Sequence, residues 1–206
     1  MLYLYFLRHG QTDYNLKGIV QGAGVDAPLN RTGIIQARQF FEAYRHIPFD
    51  GFYCSKQQRS YQTLLPWMEI GHKVVPLSGL QELSWGNLEG VKPNAEQRKI
   101  YQELVTSWAN GHTERRVEGG ESPEEVWSRL KWPLNDIFKK HKKGKVLICS
   151  HGRTIRVILS MFVGKGLSDM EPFKSANTGL NILEVSPEGE FKAIKINNTD
   201  HLVNYD

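Results

Sequence analysis

Leu2-Tyr3-Leu4-Tyr5-Phe6-Leu7 runs straight into Arg8-His9-Gly10-Gln11-Thr12, and Val146-Leu147-Ile148-Cys149 runs into Ser150-His151-Gly152-Arg153. Apolar runs that stop abruptly at polar residues and a glycine read as strands buried on both faces, as in a parallel sheet covered by helices. In such sheets the ligand crevice lies beyond the carboxyl ends of the strands. A histidine at one strand end is more often structural. Two of them, each followed by glycine, point to one shared crevice. Arg8 offers a planar fork of donors suited to phosphate, and a neutral His9 can act as a nucleophile. Together they suggest phosphoryl chemistry.

Downstream of the first strand, residues 11–29 show little periodicity and many turn formers, including Asp13, Asn15, Gly18, Gly22, Gly24 and Pro28. Long loops beside a site are commonly functional. Here Thr12, Asn15, Gln21 and the Gly22 backbone offer neutral groups to an anion. Asn30 caps an expected helix to about Tyr44, with Ile34, Ala37, Phe41 and Tyr44 on its apolar face. Phe52-Tyr53-Cys54 is a short strand that again ends in polar residues. It leads to a helix expected over about 57–68, with Arg59 near its start, where helix N-termini favour anions. Val74 to Leu77 reads as another short strand.

Residues 80–90 bring Glu82, Trp85 and Glu89 together outside any clear period. A carboxyl against an aromatic wall can have its pKa raised and serve as an acid. Two capping boxes follow, Asn94 to Gln97 and Ser122-Pro123-Glu124-Glu125, each opening a helix with an apolar face. Pro133 is expected to kink the second. Between them, residues 111–120 are polar and glycine-rich. Arg115 and Arg116 lie there, read mainly as solvated surface, with a mobile cover over the site as the alternative. Leu180 to Val185 and Phe191 to Ile196, joined by Ser186-Pro187-Glu188-Gly189, read as an antiparallel hairpin at a sheet edge.

The totals narrow the classes. A chain of 206 residues, 40% hydrophobic and 23% charged, fits one globular domain. A net charge of +4 without a long basic tract gives no nucleic-acid footprint. No apolar stretch reaches the roughly 20 residues of a membrane span. No signal peptide is recognisable at the N-terminus, and Cys54 and Cys149 read as buried thiols, so a cytoplasmic setting is expected. Cys54 and Arg59 are one residue too close for a cysteine-phosphatase loop, and the Gly-Lys-Ser/Thr of a P-loop is missing. Histidines and carboxylates show no metal-ligand spacing, so neither metal nor other cofactor is expected.

The ordered set resembles the histidine phosphatase superfamily, the phosphoglycerate mutase-like family. It comprises Leu7 to Thr12 with Asn15; Asp26, Pro28-Leu29 and Gly33; Ser55, Arg59 and Thr63; Glu82-Leu83; Gly86 with Glu89-Gly90; Gly119 to Ser122; and Ser150-His151-Gly152. The resemblance implies a three-layer α/β/α fold, mainly parallel with an antiparallel edge, as one domain over 1–206 with a helical insertion at about 90–122. It implies His9 as the phosphoryl acceptor, Arg8, Arg59 and His151 as the phosphate pocket, and Glu82 as proton donor. Asn15, Gln21 and Gly22 align with the substrate-contacting loop. A protonated His151 would add to the charge that Arg8 and Arg59 turn toward the phosphate. The implied activity is metal-independent hydrolysis of a small phosphorylated metabolite through phosphohistidine. A phosphoglycerate mutase-type transfer stays open because of Arg115-Arg116, as does a non-catalytic phosphate-binding domain.

Overall fold

The computed structural model describes residues 1–164 and 166–202. The chain runs β1 (Leu2–Arg8), α1 (Asp13–Leu16), α2 (Arg31–Tyr44), β2 (Gly51–Ser55), α3 (Gln58–Thr63), α4 (Leu65–Glu69) and β3 (Val74–Leu77). It continues through α5 (Ala95–Ala109), α6 (Pro123–Lys140), β4 (Gly144–Ser150), α7 (Gly152–Phe162), β5 (Leu180–Val185) and β6 (Phe191–Asn198). The six strands form one sheet in the order β3-β2-β4-β1-β5-β6. Its first four strands are parallel, and the hairpin of β5 and β6 adds an antiparallel edge to β1.

Alternation along the central strands builds two cores. Leu4 and Phe6 of β1, with Val146 and Ile148 of β4, face Val126, Leu130, Leu134 and Ile137 of α6 and Ile155, Ile158 and Leu159 of α7. Tyr5 and Leu7, with Leu147 and Cys149, face Phe40 and Phe41 of α2 and Trp67 of α4. Each strand thus feeds both layers, because successive side chains point to opposite faces. Both cysteines are buried free thiols, and burial raises both thiol pKa values, that of Cys149 to about 12.

Several local expectations are corrected. The helix expected over about 57–68 is two short helices, α3 and α4, separated at Leu64. Pro66 has no N–H to continue the α3 ladder and instead stands at the start of α4. The loop over 11–29 contains the short helix α1, closed by a reciprocal box between Thr12 and Asn15. Ile34 is 50% exposed, and Phe40 takes the buried place expected for it on α2. The final strand extends to Asn198. No helix among the described residues is long and apolar enough to cross a membrane.

Candidate active site

Register places the site. Arg8 of β1 lies opposite Ser150 of β4, and Cys54 of β2 opposite Cys149. The next residues of the two central strands, His9 and His151, therefore leave the sheet side by side. Their ring centroids are 5.1 Å apart, and both are buried. His9 N–H still donates to Ser150 O at 3.0 Å, so the parallel ladder continues one step beyond β1. Gly10 passes against Gly33 of α2 so closely that a Cβ on it would sit 2.6 Å from the Gly33 carbonyl oxygen. Glycine at both positions lets this turn pack on the helix.

Hydrogen bonds assign the ring tautomers. His9 Nδ1 lies 2.7 Å from Gly10 O, an acceptor only, so Nδ1 carries the proton and donates it. The Nε2 lone pair is then available. His151 Nδ1 accepts from Arg59 Nε at 3.3 Å, which leaves the proton on Nε2, 2.6 Å from Ser55 Oγ. Burial, then Arg59 and Arg8, holds the His9 pKa well below the usual imidazole value, although the bond to Gly10 opposes this. Burial, then Arg59, His9 and Arg8, does the same to His151. Both rings are therefore held toward the neutral form in the phosphate-free protein, so the expected protonation of His151 would need a bound phosphate to offset Arg59 and Arg8.

Arg59 stands in the first turn of α3 and is almost wholly buried. It donates from Nη1 to Val25 O at 2.7 Å and from Nη2 to Gly22 O at 2.8 Å. Burial pushes its pKa down to about 10, against the pull of Glu82. Arg8 donates from Nη1 to Ser175 O, while its buried Nε has no partner within the protein. Gly152 makes room for it, since a Cβ there would meet Arg8 Nε at 3.3 Å. Glu82 lies against the start of α7. Its Oε1 accepts from Leu83 N and Thr154 N, each at 3.0 Å, and its Oε2 from Arg153 N at 3.1 Å.

Arg8, His9, Asn15, Gln21, Gly22, Arg59 and Glu82 all line one cavity of about 200 Å³. His151 lies behind His9 and Arg59 rather than in the cavity wall. Asn15 is fixed through its Oδ1, which accepts from Asn177 Nδ2 at 3.1 Å, while Asn177 also donates to His9 O. Gln21 Oε1 is buried without a partner within the protein. Among the described residues, no group of three or more His, Cys, Asp or Glu is placed to hold a metal ion.

Several contacts and lining residues of the site escaped the sequence reading. Gln57 bridges its two halves, donating from Nε2 to Gly22 O at 3.0 Å and accepting from Glu82 N at 2.9 Å. Glu89 accepts from Ala23 N, Gly24 N and Trp85 N at 2.7–3.1 Å, pinning the loop that carries Gly22. Tyr101, Arg153, Arg156 and Ser175 also line the cavity. The motif Ser150-His151-Gly152-Arg153 did contain one signal, since Arg153 and Arg156 occupy the first turns of a helix that starts at the site. Arg115 and Arg116, in contrast, lie away from this cavity beside Ile100 and Glu103, and Arg116 pairs with Glu125. Trp108 is core, Trp127 packs against the core, and Trp85 is buried yet forms part of the cavity wall.

The chain is similar to known proteins over most of its length. The model of the histidine phosphatase superfamily (branch 1) matches residues 4–199. A protein of Hydrogenobacter thermophilus, provisionally named phosphoserine phosphatase 2, is 32% identical over 188 residues, which cover 91% of this chain and 90% of that one. The 2,3-bisphosphoglycerate-dependent phosphoglycerate mutase 2 of Gloeobacter violaceus is 33% identical over 165 residues, covering 77% of this chain and 74% of that one. Among solved structures, the mycobacterial glucosyl-3-phosphoglycerate phosphatase matches with a TM-score of 0.85 at 22% identity, over 96% of this chain and 99% of that one. At that identity the last match is one of fold.

Proposed function

Because the chain belongs to the histidine phosphatase superfamily, a family of phosphatases and phosphoglycerate mutase-like enzymes, we propose that it hydrolyses a small phosphomonoester through a phosphohistidine on His9. The observation that carries this reading is the His9 ring. It is buried, neutral and tautomerically fixed by Gly10 O, with Nε2 unprotonated in a cavity that Arg8 and Arg59 line. Two guanidinium groups lining one cavity suit a phosphate dianion, and one of them has a buried donor without a protein partner. Phosphoryl transfer needs mainly such positioning and charge stabilisation.

In the first step His9 Nε2 attacks phosphorus. The P–N bond forms as the P–O ester bond breaks, and the leaving oxygen takes a proton from the Glu82 carboxyl. Water then attacks phosphorus and gives a proton to the Glu82 carboxylate, and inorganic phosphate leaves as the His9 lone pair is restored. Arg8 and Arg59 face the charge on the transferring oxygens, and Asn15, Gln21 and Gly22 close the wall above them. His151 acts as a neutral strut that orients Arg59. Hydrolysis is favoured over mutase transfer because Arg115 and Arg116, the pair that favoured a mutase, lie away from the cavity.

The test is turnover of p-nitrophenyl phosphate by wild type and His9→Ala with chelator present. Rapid quench with a ³²P-labelled substrate runs alongside. The expected result is loss of at least about 10³-fold in the variant and an acid-labile, base-stable phosphoenzyme in wild type only. Equal turnover in the two proteins would refute His9 as the acceptor.

A further inference from the structure

A second cavity, of about 640 Å³, opens at the other end of the sheet from the catalytic one. Leu2 and Val185, register partners at the start of β1 and the end of β5, both line it. The full length of β1, about 20 Å of extended chain, separates it from Arg8. No residue lines both cavities. Four aromatic side chains form much of its wall: Trp127 and Phe138 of α6, Phe162 of α7 and Phe191 of β6. Phe162 and Phe191 stack face to face with ring centroids 4.0 Å apart, and Trp127 and Phe138 lie 5.9 and 6.1 Å from Phe162. All four are only half-buried. A packed aromatic cluster left open in a concave surface of this volume has the form of a small-molecule pocket.

The rim of this cavity is cationic. Lys131 and Lys142 line it, and neither has a hydrogen-bond or ion-pair partner among the described residues. No carboxylate is among the described residues that line it. Acids near by are engaged elsewhere: Asp136 pairs with Lys140, Asp50 accepts from Lys145 N, and Glu188 turns its carboxylate to the Ser186 hydroxyl. Residues 131–145 and 184–192, which supply the rim, carry seven lysines and four carboxylates. The surplus of positive charge therefore survives when every acid on these segments, and Asp50, is counted. His141 adds none, since burial lowers its pKa and its Nε2 lies 2.8 Å from Tyr53 Oη. A lysine at such a rim lays its methylene stem along apolar surface and keeps its ammonium at the water.

We infer that this cavity binds a small amphipathic anion, an acyl or aryl carboxylate, whose apolar body lies on the four aromatic rings and whose carboxylate meets Lys131 and Lys142. The inference is independent of the hydrolytic reading above. An amphipathic cation would meet like charge at the rim, and a short carboxylate would leave the aromatic wall uncovered.

The test is calorimetric titration with decanoate, kept well below its micelle concentration, beside decyltrimethylammonium and acetate. Wild type is expected to bind decanoate with a Kd of about 0.1 mM or tighter, decyltrimethylammonium about 10-fold more weakly or worse, and acetate not measurably. The indole N–H resonance of Trp127, assigned with Trp127→Phe, is expected to shift as decanoate binds. Asn135→Trp adds an indole at an exposed lining position of α6 and is expected to weaken decanoate binding by about 10-fold or more. Lys131→Gln combined with Lys142→Gln is expected to lower the preference for decanoate over decyltrimethylammonium by about threefold or more. Absence of decanoate binding, equal affinity of the two chains for wild type, or full affinity in Asn135→Trp would overturn the inference, as would an unchanged preference in the lysine variant. Displacement of decanoate by inorganic phosphate would place it between Arg8 and Arg59 and overturn it too. A dimer in sedimentation that Asn135→Trp dissociates would make a second copy of the chain the occupant, with the same consequence. Turnover of p-nitrophenyl phosphate is expected to stay at the wild-type level in these variants, so failure of the hydrolysis test and failure of this one are distinguishable.

Discussion

At the residue scale, Arg59 does three things at once. Its Nε bonds His151, and its two terminal nitrogens bond the carbonyls of Gly22 and Val25. A lysine keeps the charge but cannot span three acceptors in different directions. Losing two bonds made by a charged donor costs about 3–6 kcal/mol. Arg59→Lys is therefore expected to lower kcat/KM for p-nitrophenyl phosphate by about 10²-fold or more. Far-UV circular dichroism should stay native, because the lysine stem can still occupy the cleft. A loss below threefold would mean that charge alone, rather than the fork, is what the site requires. The arginine's identity was legible in the sequence as a cation at a helix start. Its bonds to the loop over 22–25 were not, because they join segments more than 30 residues apart.

At the element scale, the loop that closes the cavity is held by a carboxylate from another segment. Glu89 Oε1 accepts from Ala23 N and Trp85 N, and Oε2 accepts from Gly24 N. The fit is close: a Cβ at Gly22 would lie within van der Waals overlap of the Glu89 carboxylate, and Gly22 has a φ of +55°. Glu89→Gln places an NH₂ against at least one backbone donor, that of exposed Gly24 if the oxygen stays on Ala23 N and Trp85 N, and removes the charge from all three bonds. It is expected to cost about 1–3 kcal/mol in urea unfolding and to raise KM more than it lowers kcat, since the loop binds rather than reacts. Lost stability with an unchanged KM would make Glu89 a structural brace only. The sequence exposed those elements whose signals are local. These are the unbroken runs of β1 and β4, the caps at Asn30, Asn94 and Ser122, and the turn before β6. It misled at Leu64, where an apolar helical period continues across Pro66 although the backbone cannot. It was silent on Gln57, and it singled out Glu89 without the loop that Glu89 holds, because a polar residue carries no sign of a partner far along the chain.

At the scale of the whole molecule, the parallel sheet sets both the site and its cost. Strand order brings the ends of β1, β4 and β2 together, so His9, His151 and Arg59 are buried at one edge, with Arg8 half-buried beside them. No local pattern in the sequence contains that order; it follows from how the crossovers pack. The burial that keeps His9 nucleophilic also makes the fold sensitive to acid. His9 and His151 have folded pKa values well below the unfolded value of about 6.5. Below pH 6.5 the unfolded chain therefore takes up protons that the folded protein refuses. Their contribution to stability is intact above pH 6.5 and is lost as the pH falls toward the folded values. Each histidine adds a slope of up to about 1.4 kcal/mol per pH unit in that window. His201, buried against Phe40 and lowered to about 4 chiefly by burial, acts in the same direction. Against a total stability of about 5–15 kcal/mol, two such slopes matter within two pH units. The urea midpoint is expected to fall continuously from pH 6.5 to pH 5. His151→Asn, which can still accept from Arg59 and donate to Ser55, should flatten that fall by about one proton's worth. Vanadate or phosphate should also flatten it, because an anion between Arg8 and Arg59 offsets their repulsion of an imidazolium and stabilises only the folded state. A midpoint that stays level between pH 6.5 and 5 would mean that both rings are already protonated there, and a protonated His9 cannot attack phosphorus.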